Sequence, residues 1–393
     1  MARFKLNNEN VIVSLDVGTS SIRCAVIQKD EELTPELLAY CEKPCQGLDE
    51  GRVVDFNEVI PIVGEVLEEA ETLSKTSFSE LWIGLSCDFH SFSSQGMTVL
   101  PSREVTKKDM ALAIHTACAV PIPSHHIRIH NNPLSFHIDN QSEVINPLGL
   151  SGLRLETQVH IVTIPEFYCH DLTKVLKAVG CTPKGFIHNL VAFAGNLTDL
   201  RQKKNGVCLC DIGYRSSRVI VYHQGKIKDM FRIPFGGEHL SLAISERFKI
   251  SLEEAEALKV NQGSFASHSI SDEEQIETGE EGLFIACNAF SEVLEDTIKQ
   301  FFSGLRERLE LKLALHHINS GILWTGQTSF VPGFLELARS RTGLAASHPR
   351  PFISNDFKKT NTFAIAQEAF RKERLQIQKT PFTSHWIKFK DLF

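Results

Sequence analysis

The chain has 393 residues, more than one ordinary hydrophobic core holds, so two or more domains are expected. Apolar residues make up 42% and charged residues 23%, as in soluble globular proteins. A net charge of −7 excludes broad affinity for nucleic acid, which needs a basic field. Ten cysteines are scattered without Cys-x-x-Cys spacing, which argues against a disulfide framework or metal centre and for a reducing compartment. Cys208 and Cys210 read as core filler on one face of a strand. No stretch approaches the ~20 apolar residues of a spanning helix, and no secretory signal is visible. Contact with a membrane is expected only from the side.

The first clear element is "VIVSLDVGTSSIRCAVI", from Val11: a β-branched strand, Asp-x-Gly, small hydroxyl residues and a second strand. From Trp82 to Thr163 the character changes. "LWIGLSCDFHSF" and "MTVLP" predict strands, and "TKKDMALAIHTACAV" predicts a helix with Thr106 as N-cap and Asp109 completing a box-like start. "HHIRIHNN", "LSFHID" and "TQVHIVTIP" alternate as strands do, so this segment reads as a small inserted α+β module. Its histidines, His125, His126, His130 and His137, lack ligand spacing and read as exposed strand residues.

At Val207 the opening pattern returns as "VCLCDIGYRSSRVIVYHQGKI", about 200 residues after the first copy. A repeat at that distance points to two related α/β halves. In each, a hairpin turn presents backbone N–H groups and an acidic side chain, a geometry suited to a polyphosphate held with Mg²⁺ between two domains. Bulky Tyr214 and Arg215 occupy the second turn, where such a loop usually has Gly. Further on, Ser267–Gly282 reads as a solvated acidic loop or hairpin. A long helix follows through "EVLEDTIKQFFSGLRERLELKL", and "GILWTGQTSFVPGF" reads as a buried strand leading to a turn and a helix start.

The order of segments resembles the bacterial actin-like division protein family FtsA over nearly the whole chain. The resemblance rests on Asp16-Val17-Gly18-Thr19-Ser20, on "GRVVDFNEVI" from Gly51, and on "FGGEHLSLAISERFKISLEEAEALK" from Phe235. Its strongest part is "INPLGLSGLRLETQVHIVT", with Asn146, Pro147, Gly149, Leu150, Gly152 and Arg154. It implies a two-domain actin-like (ribonuclease H-like) α/β fold with a small inserted α+β subdomain and a C-terminal amphipathic helix. The implied first domain spans 1–82, 164–195 and 350–372, with the insert at 83–163. The second spans 196–238 and 300–349, with a distal subdomain at 239–299 and a linker and tail at 373–393. The resemblance further implies ATP with Mg²⁺ at Asp16, Gly18, Thr19, Ser20, Asp211, Gly213, Ser216, Gly237, Glu256, Lys259, Gly326 and Gln327. Asp16 and Asp211 would act through metal-bound water, and Glu256 and Lys259 near base and ribose.

Several positions depart from the family pattern. Ser21 stands where Lys is usual, with Arg23 as a possible cation nearby. Only Asp211, Gly213 and the Ser216 hydroxyl remain of Asp-x-Gly-Gly-Gly-Thr. Ala243 replaces the Asp expected after the Gly-Gly turn, and Gly326-Gln327-Thr328-Ser329 replaces Gly-Gly-Gly-Ala. The connecting segment "GFIHNLVAFAGNL" offers His188 and Asn189 but no carboxylate to position an attacking water. These departures imply a weakened nucleotide site and negligible turnover.

The last residues, "TPFTSHWIKFKDLF", follow a polar tether. At about 100° per residue, Phe382, Trp386, Phe389 and Phe393 share one side with Leu392 beside them, while Lys388 and Lys390 lie elsewhere. Aromatics with lysines on a short helix suit a membrane interface or docking on the chain's own domain, and the resemblance favours the membrane. It also implies filaments, capture of the C-terminal peptide of tubulin-like FtsZ through Lys299 and Arg306 with Thr297 replacing the usual Arg, recruitment of later division proteins, and no nucleic acid. The implied location is the cytoplasmic face of the inner membrane at the division site. The alternatives are a PilM-like pilus scaffold and a superfamily ATPase or sugar kinase.

Overall fold

A computed structural model describes residues 11–29, 35–139, 143–144, 146–265, 275–279, 284–312, 317–350 and 357–377. The described chain forms two compact units. The first comprises Met1–Ser86, His170–Asn196 and Ile353–Phe393, and the second Cys87–Cys169 and Leu197–Phe352.

The chain enters the first unit through a meander of three strands, β1 (Val11–Val17), β2 (Ser21–Lys29) and β3 (Pro35–Pro44). A short pair follows, β4 (Leu48–Asp49) and β5 (Arg52–Val53). Helix α1 (Phe56–Ser74) comes next, started by Asp55, whose Oδ1 accepts from the Asn57 N–H at 2.8 Å. β6 (Glu80–Leu85) then runs parallel to β1, which is buried from Ile12 to Val17.

The inserted module begins after a break at 86–89, so "LWIGLSCDFHSF" is two strands rather than one. It consists of β7 (His90–Val99), α2 (Lys107–Cys118), β8 (His126–Ile138) and β9 (Arg154–Pro165), with the antiparallel order β7-β9-β8. "HHIRIHNN" and "LSFHID" join in the single strand β8, which bulges at 128/130 and 133/135. The capping box of α2 forms as expected. Thr106 Oγ1 accepts from the Asp109 N–H, and Asp109 Oδ2 accepts from the Thr106 N–H at 2.9 Å. The histidines differ from the expectation of exposed strand residues. His125 is exposed but sits in a turn, His126 and His137 are half-buried, and His130, paired with Val162 of β9, is buried.

The chain returns to the first unit through α3 (Glu166–Ala178), β10 (Thr182–His188) and α4 (Asn189–Leu197). It then builds the second sheet. α5 (Leu200–Asn205) leads to β11 (Val207–Ile212), β12 (Ser217–His223) and β13 (Lys226–Ile233), another antiparallel meander. Next come α6 (Gly237–Phe248), α7 (Leu252–Gln262) and the hairpin β14 (Gln275–Glu277) with β15 (Phe284–Ala286). Most of the acidic segment Ser267–Gly282 lies outside the described residues. The long helix α8 (Cys287–Lys312) is followed by β16 (Ile322–Thr325), α9 (Phe334–Thr342) and β17 (Ala346–Ser347). The final described element, α10 (Phe357–Ile377), packs on the first sheet, where Ser14 Oγ donates to the Thr362 carbonyl at 3.0 Å.

The two five-stranded sheets have one topology, β3-β2-β1-β6-β10 and β13-β12-β11-β16-β17. In both, an antiparallel meander meets two parallel strands at its innermost member. The repeat read at Val11 and Val207 is therefore a duplication of fold. The core of the second unit centres on fully buried Trp324, edge-on to Phe301, Phe302 and Phe334. Cys208 and Cys210 are buried in that unit, and burial pushes both thiols up, as expected of core filler. Among the described residues no group of acidic, His and Cys side chains forms a metal cluster, and no helix is long and apolar enough to cross a membrane.

Within β9, His160 is 3% exposed, and desolvation lowers its pKa from 6.5 to about 4. The folded state therefore favours the neutral ring. The stability this provides is complete above pH 6.5 and is lost as pH falls from there toward 4. Between about pH 7 and about pH 5 the loss is about 2 kcal/mol. Denaturant unfolding at both pH values is expected to show that much less acid destabilisation in His160→Leu than in the wild type.

Candidate functional site

In the first unit, β1 and β2 pair so that Asp16 faces Arg23 and Val17 faces Ile22. The turn closes with the Gly18 N–H donating to the Ser21 carbonyl at 3.1 Å. A side chain at Gly18 would place its Cβ 3.1 Å from that carbonyl, so close approach, not a positive φ, favours glycine here. Thr19 Oγ1 accepts from the Glu50 N–H at 3.2 Å, and Ser20 is exposed.

The Asp16 carboxylate is 3% exposed and both oxygens are engaged. Asn189, at the start of α4, donates to Oδ1 at 2.7 Å and also to Ser86 Oγ at 2.8 Å. Arg23 Nη1 holds Oδ2 at 3.1 Å, while its Nε holds Glu42 Oε1 at 3.0 Å. Burial lowers the Arg23 pKa, but Asp16 and Glu42 outweigh it and the net shift is upward. Position 21, where the family pattern has Lys, shares the β2 face of Arg23, because side chains alternate with period two. Ser21 Oγ joins the same cluster, 3.2 Å from Glu42 Oε1.

In the second unit β11 and β12 repeat this arrangement. Asp211 faces Arg218, Ile212 faces Ser217, and the Gly213 N–H donates to the Ser216 carbonyl at 3.1 Å. The Arg218 guanidinium is buried and reaches back to the turn as that of Arg23 does. A Cβ on Gly213 would lie 3.3 Å from Arg218 Nη1, and one on Gly18 would lie 3.6 Å from Arg23 Nη1. Both copies spell Asp-x-Gly-x-x-Ser-x-Arg, and this identity at four of eight positions was the available signal for Arg218. Asn189, Glu42 and Ser86 carried no such signal.

The bulky turn residues are conformationally unstrained, since Tyr214, Arg215 and Ser216 all have negative φ. The turn docks on the start of α6. The Gly237 N–H donates to the Gly213 carbonyl at 3.0 Å, and the Glu238 N–H donates to the Tyr214 carbonyl at 2.8 Å. Arg215 Nε pairs with Glu238 Oε2 at 3.2 Å. Burial raises the Tyr214 phenol pKa, and nearby Glu238 and Glu256 add to the effect. The helix N-terminus that could meet a phosphate is thus capped by main-chain carbonyls.

Lys259 and Glu256 form a closed cluster beneath this cap. Lys259 is 4% exposed and its ammonium donates to the Gly237 carbonyl at 2.9 Å, Ser241 Oγ at 2.9 Å and Glu256 Oε2 at 2.6 Å. Those three partners match its three donors. Burial lowers its pKa, with Glu256 opposing. A Cβ on Gly237 would lie 3.1 Å from both Lys259 Nζ and Thr328 Oγ1, so the Gly326–Ser329 turn reaches the same place. Gly326 has φ +87°, and a Cβ there would stand 2.0 Å from the Ile212 carbonyl. Gln327 is exposed. Two buried hydroxyls of this unit, Ser216 Oγ and Thr325 Oγ1, have no hydrogen-bond partner among the described residues.

The structure therefore gathers Asp16, Gly18, Thr19 and Ser20 on one hairpin of the first unit. In the second it gathers Asp211, Gly213, Ser216, Gly237, Glu256, Lys259, Gly326 and Gln327 around the end of β11. Lys299 and Arg306 lie apart on an exposed face of α8, paired within the helix to Asp296 and Glu310. Phe382, Trp386, Phe389, Lys390, Leu392 and Phe393 lie outside the described residues.

These sheets belong to the actin-like class. Among solved structures, the PilM–PilN type IV pilus biogenesis complex matches with a TM-score of 0.63 at 17% identity, covering 92% of this chain and 98% of that one. MreB5 of Spiroplasma citri bound to ADP matches at 0.55 and 13% identity, over 93% and 97%. At such identities the likeness shows the fold alone. A family model described as the SHS2 domain inserted in FtsA matches residues 88–163, and one described as cell division protein FtsA matches 208–367. Cell division protein FtsA of Escherichia coli K12 is 25% identical over 347 residues, 85% of this chain and 83% of that protein. Its counterpart in Pseudomonas aeruginosa is 27% identical over 333 residues, 84% and 80%. The chain belongs to the FtsA family of actin-like cell division proteins.

Removing the Arg23 guanidinium leaves Asp16 and Glu42 without their shared cation. Arg23→Ala is expected to lower unfolding free energy by about 2 kcal/mol in urea titration. Adding Asp16→Asn to that variant is expected to restore part of the loss.

Proposed function

We propose that this chain is a filament-forming adaptor of cell division that ties FtsZ to the cytoplasmic membrane and recruits later division proteins. The observation that carries this reading is the FtsA relatedness over 85% of the chain, together with the SHS2 insert at 88–163. Membrane contact is assigned to the aromatic stripe Phe382, Trp386, Phe389, Leu392 and Phe393 with Lys390. About eleven residues form a weak anchor, so several tails on one filament act together through effective concentration. FtsZ peptide docking is assigned to α8, where Lys299 and Arg306 are exposed and seven residues apart, hence on one helix face. A pilus-type scaffold shares the fold, but the Asn146–Arg154 pattern and the division-protein relatives favour the adaptor.

Nucleotide belongs to this reading as a ligand and not as a fuel. Neighbours of the same fold are bound to ADP and AMPPNP. Here the buried hydroxyls of Ser216 and Thr325 suit a polar ligand. Asp16, whose carboxylate is engaged by Asn189 and Arg23, does not fit a metal-bound water. Asn189 also stands at the start of α4 where a carboxylate would position the attacking water.

Two outcomes are expected. Trp386→Glu releases the protein from anionic liposomes in co-sedimentation, and unchanged pelleting would refute the tail assignment. Purified protein hydrolyses ATP well below about one per second, the low end for working enzymes; a faster steady-state rate, abolished by Asp16→Ala, would overturn the reading.

A further inference from the structure

We propose that the two Asp-x-Gly hairpins carry their own cations. The guanidinium ions of Arg23 and Arg218 take the place of a divalent metal, so a phosphate-bearing ligand is bound without Mg²⁺. The phosphate part of this inference rests on the nucleotide reading above, whereas the cation replacement stands on the hairpins themselves.

Each Asp16 oxygen already accepts a charged or amide donor, from Arg23 at 3.1 Å and Asn189 at 2.7 Å. A metal-bound water would have to displace one of them and then stand beside a fixed positive charge. Arg218 lies across from Asp211 as Arg23 lies across from Asp16, and both guanidiniums reach the glycine of their own turn. A single buried ion pair could be a local repair, but the same register and the same reach in two units mark one arrangement kept twice. Arg218 is 4% exposed, and a guanidinium is buried at that level only when its charge is met.

Arg23 uses Nε and Nη1 on carboxylates, and its Nη2 has no partner among the described residues. A guanidinium matches phosphate geometry and stays charged at any physiological pH. In the second hairpin, the buried Ser216 Oγ is an unpartnered donor at the turn itself. Because Asp16 and Glu42 share one arginine, the first hairpin keeps no net positive charge. Binding there is weak, and added metal does not strengthen it.

The test uses the full chain. A fluorescent ATP analogue is titrated in Mg²⁺ and in EDTA, and Mn²⁺ binding is followed separately by electron paramagnetic resonance. The wild type is expected to bind the analogue within about threefold under the two conditions and to leave the Mn²⁺ signal unchanged. Arg23→Ala, which frees Asp16 and Glu42, is expected to gain Mn²⁺ binding and a rise in Tm with the metal. Arg218→Ala provides the same test in the other hairpin should Arg23→Ala fail to fold.

A wild type whose analogue affinity rises about tenfold or more with Mg²⁺ would overturn the proposal. So would Mn²⁺ binding that Asp16→Ala abolishes, or arginine variants that fold and stay silent to Mn²⁺. A wild type that binds no analogue under either condition refutes the nucleotide reading and the phosphate part with it. The Mn²⁺ response of the arginine variants then decides the cation replacement by itself.

Discussion

Strand register is the constraint on which the two hairpins depend. Antiparallel pairing sets Arg23 opposite Asp16 and Arg218 opposite Asp211, and alternation puts each pair on one face. Both first strands lie in the middle of their sheets, between an antiparallel and a parallel neighbour. A slip of one residue would turn the acid and the arginine to opposite faces. The buried carboxylate is tolerated because that register brings it a cation. The turn glycine is tolerated because the backbone must pass close to a carbonyl.

From that register the rest of each unit follows. Asn189 at the start of α4 completes Asp16, and α10 covers the sheet behind it through contacts such as Ser14 with Thr362. In the second unit the turn caps α6, α6 receives Lys259 from α7, and Gly237 brings the Gly326–Ser329 turn against both. These links join elements far apart in sequence with few side chains. Such an assembly is cooperative, since removal of Lys259 would take three hydrogen bonds at once, one of them to a carboxylate.

Much of the fold was legible in the sequence because it rests on local rules. The Asp-x-Gly repeat, the Thr106 box and the Ile322–Thr325 strand follow from propensity, capping and alternation. The break at Ser86–Phe89 was less legible, since an apolar run does not show where a chain leaves one unit for another. Nor was the burial of His130, since strand alternation alone does not say which face of a sheet is covered. At the site, the aspartates and glycines were readable as a motif. The partners of Arg23 and Arg218 were not, because a charge on a strand says nothing of its partner until the register is known. Glu256 and Lys259 read as nucleotide contacts, while the structure shows a lysine whose donors the protein itself satisfies.

The cap on α6 also bears on how this loop can drift. Carbonyl oxygens of residues 213 and 214 meet the helix, so the task belongs to the backbone and to the spacing between Asp211 and Gly237. Side chains there are almost unconstrained by it, and Tyr and Arg can replace glycine without uncapping the helix. Length is a different matter, because one inserted or deleted residue would carry both carbonyls out of line. Substitutions should therefore accumulate in this turn across a lineage while its residue count stays fixed.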